Sequence, residues 1–297
     1  MRTEATTTGR RVGVLFDRDL PPERLADFAR SVEAAGADDL WVVEDLGWAG
    51  SIASAAVALA VTDRVRVGQS IAPAPLRNPA LLAMELAALA RMFPGRFVAG
   101  LGHGVKDWMR QVGAATPHQL ALLEETLTAV RALLRGQQVT LDGTVVQLDS
   151  VKLVHPPAVP PPVVAGVVGP RSLRLSGRAA DGTVIAEGNG PADVRRARSL
   201  VAEGRPAGAA HETIVLTYLG LADAPPAAAA ALAEIAAGQA EWLGVPPGDV
   251  FIAGGDAAEA AGAVRSLWEA GADTVVLRQL GDDPLPALRA VLSALGR

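Results

Sequence analysis

The chain has 297 residues, half of them hydrophobic and a fifth charged, with a formal net charge of -5. That length buries a substantial core, and α/β barrels of this size commonly form one domain. The mildly acidic balance gives no electrostatic footprint for nucleic acid, and the absence of cysteine excludes disulfides and thiolate metal sites.

The opening "MRTEATTTGRR" has no apolar signal core, and residues 1–10 read as a flexible N-terminus. The longest apolar stretches, such as "SIASAAVALAV" (51–61), are too short to span a membrane. A cytoplasmic protein without a membrane partner is expected. Lysine occurs only at Lys106 and Lys152, the other 25 of the 27 basic residues being arginine, a usage that suggests a GC-rich bacterial genome.

In chain order, short Val/Ile/Leu-rich runs alternate with longer Ala/Leu-rich segments, the pattern of repeated βα units on a parallel sheet. Strands are expected at 11–16, 39–44, 64–69, 96–101, 162–167, 182–187, 213–221 and 273–278. Eight such units close a (β/α)8 TIM barrel, here a single domain over 1–297. A doubly wound open sheet is the structural rival, but no switch in the pattern marks its crevice.

Between strands, Asn78-Pro79 and Thr116-Pro117 read as N-cap and first helical residue, while "EAAGAD" (33–38) and "EAGAD" (269–273) end two helices on glycine just before strands. The segment 137–162 breaks the rhythm. It alternates around Asp142-Gly143 as a hairpin would and runs into "VHPPAVPPP", an insertion between the fourth and fifth strands. It serves either as a plain surface hairpin or as a flap or interface element. "PPAAAAALAEIAAGQAEWLG" (225–244) is either a packing helix or a lid, and its apolar content favours packing.

A barrel carries its site at the C-terminal ends of its strands. Those ends offer Asp17, then Glu44, Asp45 and Trp48, then Gln69, Ser70 and Ile71, then Gly102, His103 and Gly104, then Gly166, Gly169, Arg171 and Ser172, then Glu187 and Gln279. No strand ends in lysine, against a Schiff-base aldolase, and the four histidines have no paired spacing, against a metal-dependent hydrolase. An organic cofactor is left to carry the chemistry. Gly169-Pro170 leads into a helix whose first N–H groups, with Arg171 and Ser172, suit a phosphate; a plain helix start with a solvated arginine is the alternative. The glycines of "GLGHG" (100–104) suit either a turn or a close backbone approach to a ligand.

"TDRVRVGQSIAPAPLRNPALLAMELAALARMFPGRFVAGLGHG" (62–104) resembles the bacterial luciferase-like flavin and deazaflavin oxidoreductases. The likeness continues through "GADDLWVVED" (36–45), "PPVVAGVVGPRSLRLSGRAADGTVIAEGNGP" (161–191) and "EAGADTVVLR" (269–278). The branch of coenzyme F420-dependent reductases, including methylenetetrahydromethanopterin reductase, looks most similar. The resemblance implies the same barrel, often dimeric, and a hydride-transfer oxidoreductase acting on a small organic substrate. Its cofactor would be F420, with FMN and a monooxygenase reaction as the alternative; a coenzyme-binding protein without turnover is a further reading. A deazaflavin has carbon where a flavin has N5, so it moves hydride and does not activate oxygen.

The resemblance also implies a non-prolyl cis peptide at Ser70-Ile71, pressed against the coenzyme ring, with Gly102, Gly104 and Gly166 nearby and the phosphate at Gly169, Arg171 and Ser172. Glu44, Trp48 and His103 are the catalytic candidates. Adjacent strand residues point to opposite faces, so only one of Glu44 and Asp45 is expected to face the pocket, and position favours Glu44. A salt bridge to a barrel arginine is its structural alternative; a core aromatic and a structural histidine are those of Trp48 and His103. The sugar-phosphate-oxidising members have a glutamate where this chain reads Gly104-Val105-Lys106, so their substrate does not carry over.

Overall fold

The computed structural model describes residues 9–281 and 283–297. All but Gly9 and Arg10 of the expected flexible N-terminus lies outside them. Twelve strands occur in chain order: β1 (Arg11–Leu15), β2 (Asp39–Val42), β3 (Arg66–Gln69), β4 (Ala72–Pro73), β5 (Phe97–Gly102), β6 (Val139–Asp142), β7 (Gln147–Val151), β8 (Val163–Gly166), β9 (Gly182–Ile185), β10 (Glu212–Leu221), β11 (Ile252–Gly255) and β12 (Thr274–Gln279). Eight of them, β1, β2, β3, β5, β8, β9, β10 and β12, pair in parallel around a closed ring. These are the eight predicted runs. Closure through β9–β10 and β12–β1 rules out the open sheet.

Period-2 alternation divides the strand residues between two cores. Leu15, Trp41, Val98, Val164, Val184, Ile214, Leu216 and Val276 fill the bore. Their neighbours, such as Val14, Leu40, Ala99, Val215 and Val275, pack outward against the helices in the larger cluster. Trp41 is accommodated because Gly68 has no side chain: a Cβ there would stand 2.3 Å from the indole.

The floor of the bore is ionic. Asp39 is fully buried at the start of β2 and accepts from Arg11 Nε (2.8 Å) and Arg66 Nη2 (2.6 Å). Arg66, on β3, also reaches Glu212 Oε1 (2.7 Å) on β10, the strand diametrically opposite in the ring. Burial alone would lower the Arg66 pKa, but Asp39 and Glu212 outweigh it and raise the value.

Several boundaries shift. β2 stops at Val42 and β9 at Ile185, so Glu44 and Glu187 lie on the loops that follow. The helix expected from Thr116-Pro117 runs Gln119–Leu134; Thr116 Oγ1 accepts from His118 N (3.1 Å) and caps a turn ahead of it. Asn78 does cap its helix, accepting from Ala80 N at 2.9 Å. Both glycine junctions hold, with Gly36 and Gly271 at positive φ. β11, short and ending in two glycines, was not expected; it pairs with the upper end of β10.

The insertion forms the β6–β7 hairpin and packs Val146 and Leu148 on Leu122 and Ala129 of helix Gln119–Leu134. Glu125 clamps the turn by accepting from the N–H groups of Thr144 (2.7 Å), Val145 (3.0 Å) and Val146 (2.8 Å). Burial opposes that charge, but the three donors outweigh it and lower the Glu125 pKa. The hairpin packs on the outer helix layer, and its residues Val145, Val146 and Gln147 share a cavity with Ala74, Arg77 and Asn78 of the segment before helix Pro79–Met92. Among the described residues no helix is long and apolar enough to cross a membrane, and no group of three acidic or histidine side chains is placed to hold a metal.

Two outcomes follow from the barrel floor. Arg66→Met leaves Asp39 and Glu212 facing each other without their shared cation, and urea unfolding is expected to show a loss of about 3–5 kcal/mol. His211 donates to or accepts from Thr183 Oγ1 (2.8 Å), and burial foremost, with Arg205, pushes its pKa down to about 4. The unfolded chain binds the proton first, near pH 6.5. Stability therefore falls as pH drops from about 6.5 toward 4, and His211→Gln should flatten that part of a denaturation-midpoint profile.

Candidate active site

A cavity of about 390 Å³ opens at the C-terminal end of the barrel, a size suited to an organic ligand. Its wall includes Glu44, Asp45, Ser70, Ile71, His103, Gly104, Gly166, Gly169, Ser172 and Glu187, so ten of the strand-end residues singled out in the sequence meet there. Both Glu44 and Asp45 face it. The expectation of one alone fails because β2 ends two residues earlier, and on a loop the alternation no longer applies.

The Ser70-Ile71 peptide is cis. Its neighbours explain why three glycines converge on it. A Cβ on Gly166 would lie 2.5 Å from Ile71 Cγ2, one on Gly102 would lie 2.9 Å from Ile71 Cδ1, and one on Gly100 would lie 2.0 Å from the Gln69 carbonyl oxygen. Gly102 and Gly166 thus make room for the Ile71 side chain, and through it they set the cavity floor. Gly104, at φ +71°, packs against Met109 and Pro73.

The bulge is tied to Glu44. Gln69 Nε2 donates to Ser51 Oγ, which donates to Glu44 Oε2, and Ser51 N adds a bond of 3.1 Å. Arg77 completes a bidentate pair on the same carboxylate, with Nη2 at 3.0 Å from Oε2 and Nη1 on Oε1. Four donors therefore saturate Glu44. Asp45 binds Arg18 (2.7 Å), whose guanidinium lies 4.5 Å over the Trp48 ring. Trp48 itself stands outside the cavity wall: its Nε1 donates to Asp19 Oδ1 (3.0 Å), and its ring lies 6.3 Å from that of Trp108.

His103 Nε2 lies 3.0 Å from Ser172 Oγ, and burial lowers its pKa against a smaller opposing effect from the Gln119 backbone. The neutral ring holds Ser172 at the first turn of helix Pro170–Ala179. Gly169 caps that helix, and a Cβ there would meet nothing within 4 Å. The exposed Arg171 lies outside the wall, on the rim of the same turn. An open helix N-terminus beside an apolar cavity fits an anion attached to a flat organic body.

Three charged or aromatic wall residues escaped the sequence reading. Arg278 sits on β12 two positions beyond the inward-facing Val276, so alternation alone would have aimed it into the bore; it binds Asp17 (2.7 Å) and Glu187 (3.1 Å). Trp108, on the short helix Lys106–Gln111, and Trp242, on helix Pro226–Leu243, come from outside the ring. In a chain with five tryptophans two at one loop cluster were the only signal. Helix Pro226–Leu243 fully buries only Ala236 and Ala240, which cluster with Val250, while Leu232 and Leu243 sit against Gly220 and Gly188. Gln239 Nε2 donates to the Glu187 carbonyl oxygen at 2.7 Å, which pins the helix over the mouth.

The family model for luciferase-like monooxygenases matches residues 4–291. The chain belongs to that family. Among curated relatives, it is 33% identical to an F420-dependent glucose-6-phosphate dehydrogenase of Nakamurella multipartita over 188 residues, 57% of this chain and 54% of that protein. It is 27% identical to a 5,10-methylenetetrahydromethanopterin reductase of Methanolobus tindarius over 192 residues, 65% of this chain and 58% of that protein. The chain spans little more than half the length of these relatives. Among solved structures, the coenzyme F420-dependent tetrahydromethanopterin reductase of Methanopyrus kandleri superposes with a TM-score of 0.81 at 19% identity, over 95% of this chain and 97% of that one. An F420-dependent secondary alcohol dehydrogenase in complex with an F420-acetone adduct gives 0.83 at 20% identity, over 97% and 99%. At these identities the likeness establishes the barrel.

The seat of the bulge can be tested by a double-mutant cycle. Gly166→Ala crowds Ile71 and is expected to cost about 1–3 kcal/mol in thermal unfolding. In an Ile71→Ala background the same substitution should cost little, a coupling that measures the contact directly.

Proposed function

We infer that the chain is one F420-dependent oxidoreductase domain that exchanges a hydride between the deazaflavin coenzyme and a small organic substrate. The observation that carries this reading is the Ser70-Ile71 bulge, seated in its glycine cradle at the floor of an apolar cavity that ends on an open helix N-terminus. The F420-dependent names of the curated relatives support it. When bound, the coenzyme supplies two-electron hydride exchange at a ring carbon.

The chain's own residues then have separable tasks. Ile71 and Ser70 form the surface on which the ring lies, and Gln69, through Ser51 and Glu44, holds that surface still. Glu44, with four donors on its carboxylate, acts as a fixed anchor. The first N–H groups of helix Pro170–Ala179, with Ser172 and with Arg171 from the rim, hold the phosphate. His103 keeps Ser172 turned to that task. Trp108 and Trp242 cover the open side and exclude water from the reacting carbon. A cytoplasmic homodimer is the assembly that the family resemblance suggests.

Titration of the protein with F420 and, separately, FMN, followed by tryptophan fluorescence, tests the reading. F420 is expected to bind at least about tenfold more tightly, with Ser172→Ala weakening it and leaving thermal stability unchanged. Preference for FMN would make the protein a flavin enzyme, and binding of neither would remove the coenzyme site.

A further inference from the structure

The surfaces assigned above to the coenzyme ring and phosphate belong to one half of the mouth. The Ser70-Ile71 bulge follows β3, its glycine cradle lies on β5 and β8, and the helix N-terminus at Gly169 follows β8. In the closed ring β12-β1-β2-β3-β5-β8-β9-β10, β12 stands four strands from β5, directly across the bore. Arg278 lines the cavity from β12. It therefore faces the coenzyme side from the opposite wall.

Two of the three guanidinium nitrogens of Arg278 are occupied. Nε donates to Asp17 Oδ2 (2.7 Å) and Nη1 to Glu187 Oε1 (3.1 Å), which together fix the plane of the group. Nη2 has no partner among the described residues, although the side chain is only 12% exposed. Arg66, buried to a similar degree at the floor of the bore, has all three nitrogens on Asp39 and Glu212. A guanidinium N–H withdrawn from water without an acceptor carries the cost of its lost hydration. The cavity that Arg278 lines is where an acceptor can reach it.

Charge selects that acceptor. Asp17 and Glu187 already outnumber the single guanidinium, so a further carboxylate at Nη2 would face both of them at close range. An uncharged oxygen takes the N–H without that repulsion. Val184 and Leu216, on the neighbouring strands β9 and β10, line the same side and suit an apolar body around the oxygen. The anion-binding end of the cavity, at Gly169 and Ser172, is the far one.

We propose that Arg278 forms a substrate subsite: within the F420-dependent reading, its Nη2 donates to an uncharged oxygen of the substrate and holds that molecule across the cavity from the coenzyme ring. Asp17 and Glu187 are positioning residues that aim the guanidinium.

NMR of 15N-arginine-labelled protein, with and without saturating F420, tests the subsite apart from turnover. Arg278→Lys identifies the Arg278 side-chain signals, and the probes are methyl benzoate and N,N-dimethylbenzamide, which accept hydrogen bonds and donate none. At least one should shift the Arg278 Nη2 signal, with benzoate binding at least about fivefold more weakly. Arg278→Met should weaken that probe at least about tenfold and leave F420 affinity within about twofold. The triple variant Arg278→Met, Asp17→Asn, Glu187→Gln, which leaves no buried carboxylate unpaired, should lose the probe to the same extent. An unmoved Nη2 signal with both probes, probe affinity indifferent to Arg278, or benzoate binding as tightly would overturn the proposal. A tenfold loss of F420 affinity on removing Arg278 would give the donor to the coenzyme and overturn it too. A protein that takes a probe at Arg278 but does not bind F420 would instead overturn the coenzyme reading and leave the subsite standing.

Discussion

Arg66 crosses the bore. It joins the buried Asp39 on β2 to Glu212 on the opposite strand β10 and also donates to Thr274 Oγ1 on β12 (3.2 Å). One side chain thereby ties its own strand β3 to three other ring strands at their N-terminal ends. Two carboxylates brought this close out of water would repel strongly, and the shared guanidinium turns that repulsion into a cross-link. Above it the Trp41 indole, placed against Gly68, fills the middle of the bore. The lower two layers are therefore occupied by the protein itself, and a ligand can enter only from the other end.

At that end a second arginine is treated differently. Arg278 is buried like Arg66, and its pKa is raised because Glu187 and Asp17 outweigh the burial that would lower it. Its partners, however, lie on the loops after β1 and β9, close to its own strand in the ring. The guanidinium is drawn to one side, with the Tyr218 ring 5.7 Å beneath it. An arginine that spans the bore closes it, and one drawn to the wall leaves it open. The cavity exists because the two ion groups differ in geometry while sharing the same chemistry.

The ring was legible because parallel strands buried on both faces write themselves as Val/Ile/Leu runs, and all eight did. β11 was hidden because "IAGG" has too few side chains to make such a run, and it forms by pairing with the part of β10 that rises above β9. At the site, Ser70, Ile71 and Gly166 were legible as strand ends, while their part in acting through backbone position came only from the resemblance. Arg278 was not found, although alternation from Val276 places it inward. The pairing of Glu44 with Arg77 across 33 positions has no local signal, since it is the parallel pairing of β2 with β3 that brings the loop after β2 against the loop before helix Pro79–Met92.

Helix Pro226–Leu243 shows where composition misleads. Its run of alanines reads as an apolar packing surface, but alanine buries little area, and only Ala236 and Ala240 are buried. Cavities of about 600 and 270 Å³ flank it, both bounded in part by Leu280. A helix with this few buried contacts has low local stability. What fixes it is a few specific contacts: Leu232 against Gly220 and Leu243 against Gly188, Gln239 on the carbonyl of Glu187 next to the Arg278 ion group, and Trp242 in the cavity wall. The same loop thus positions the buried charge and the helix that covers the site. Helix Pro226–Leu243 carries a wall of the cavity on far fewer buried side chains than the ring strands use to form its floor.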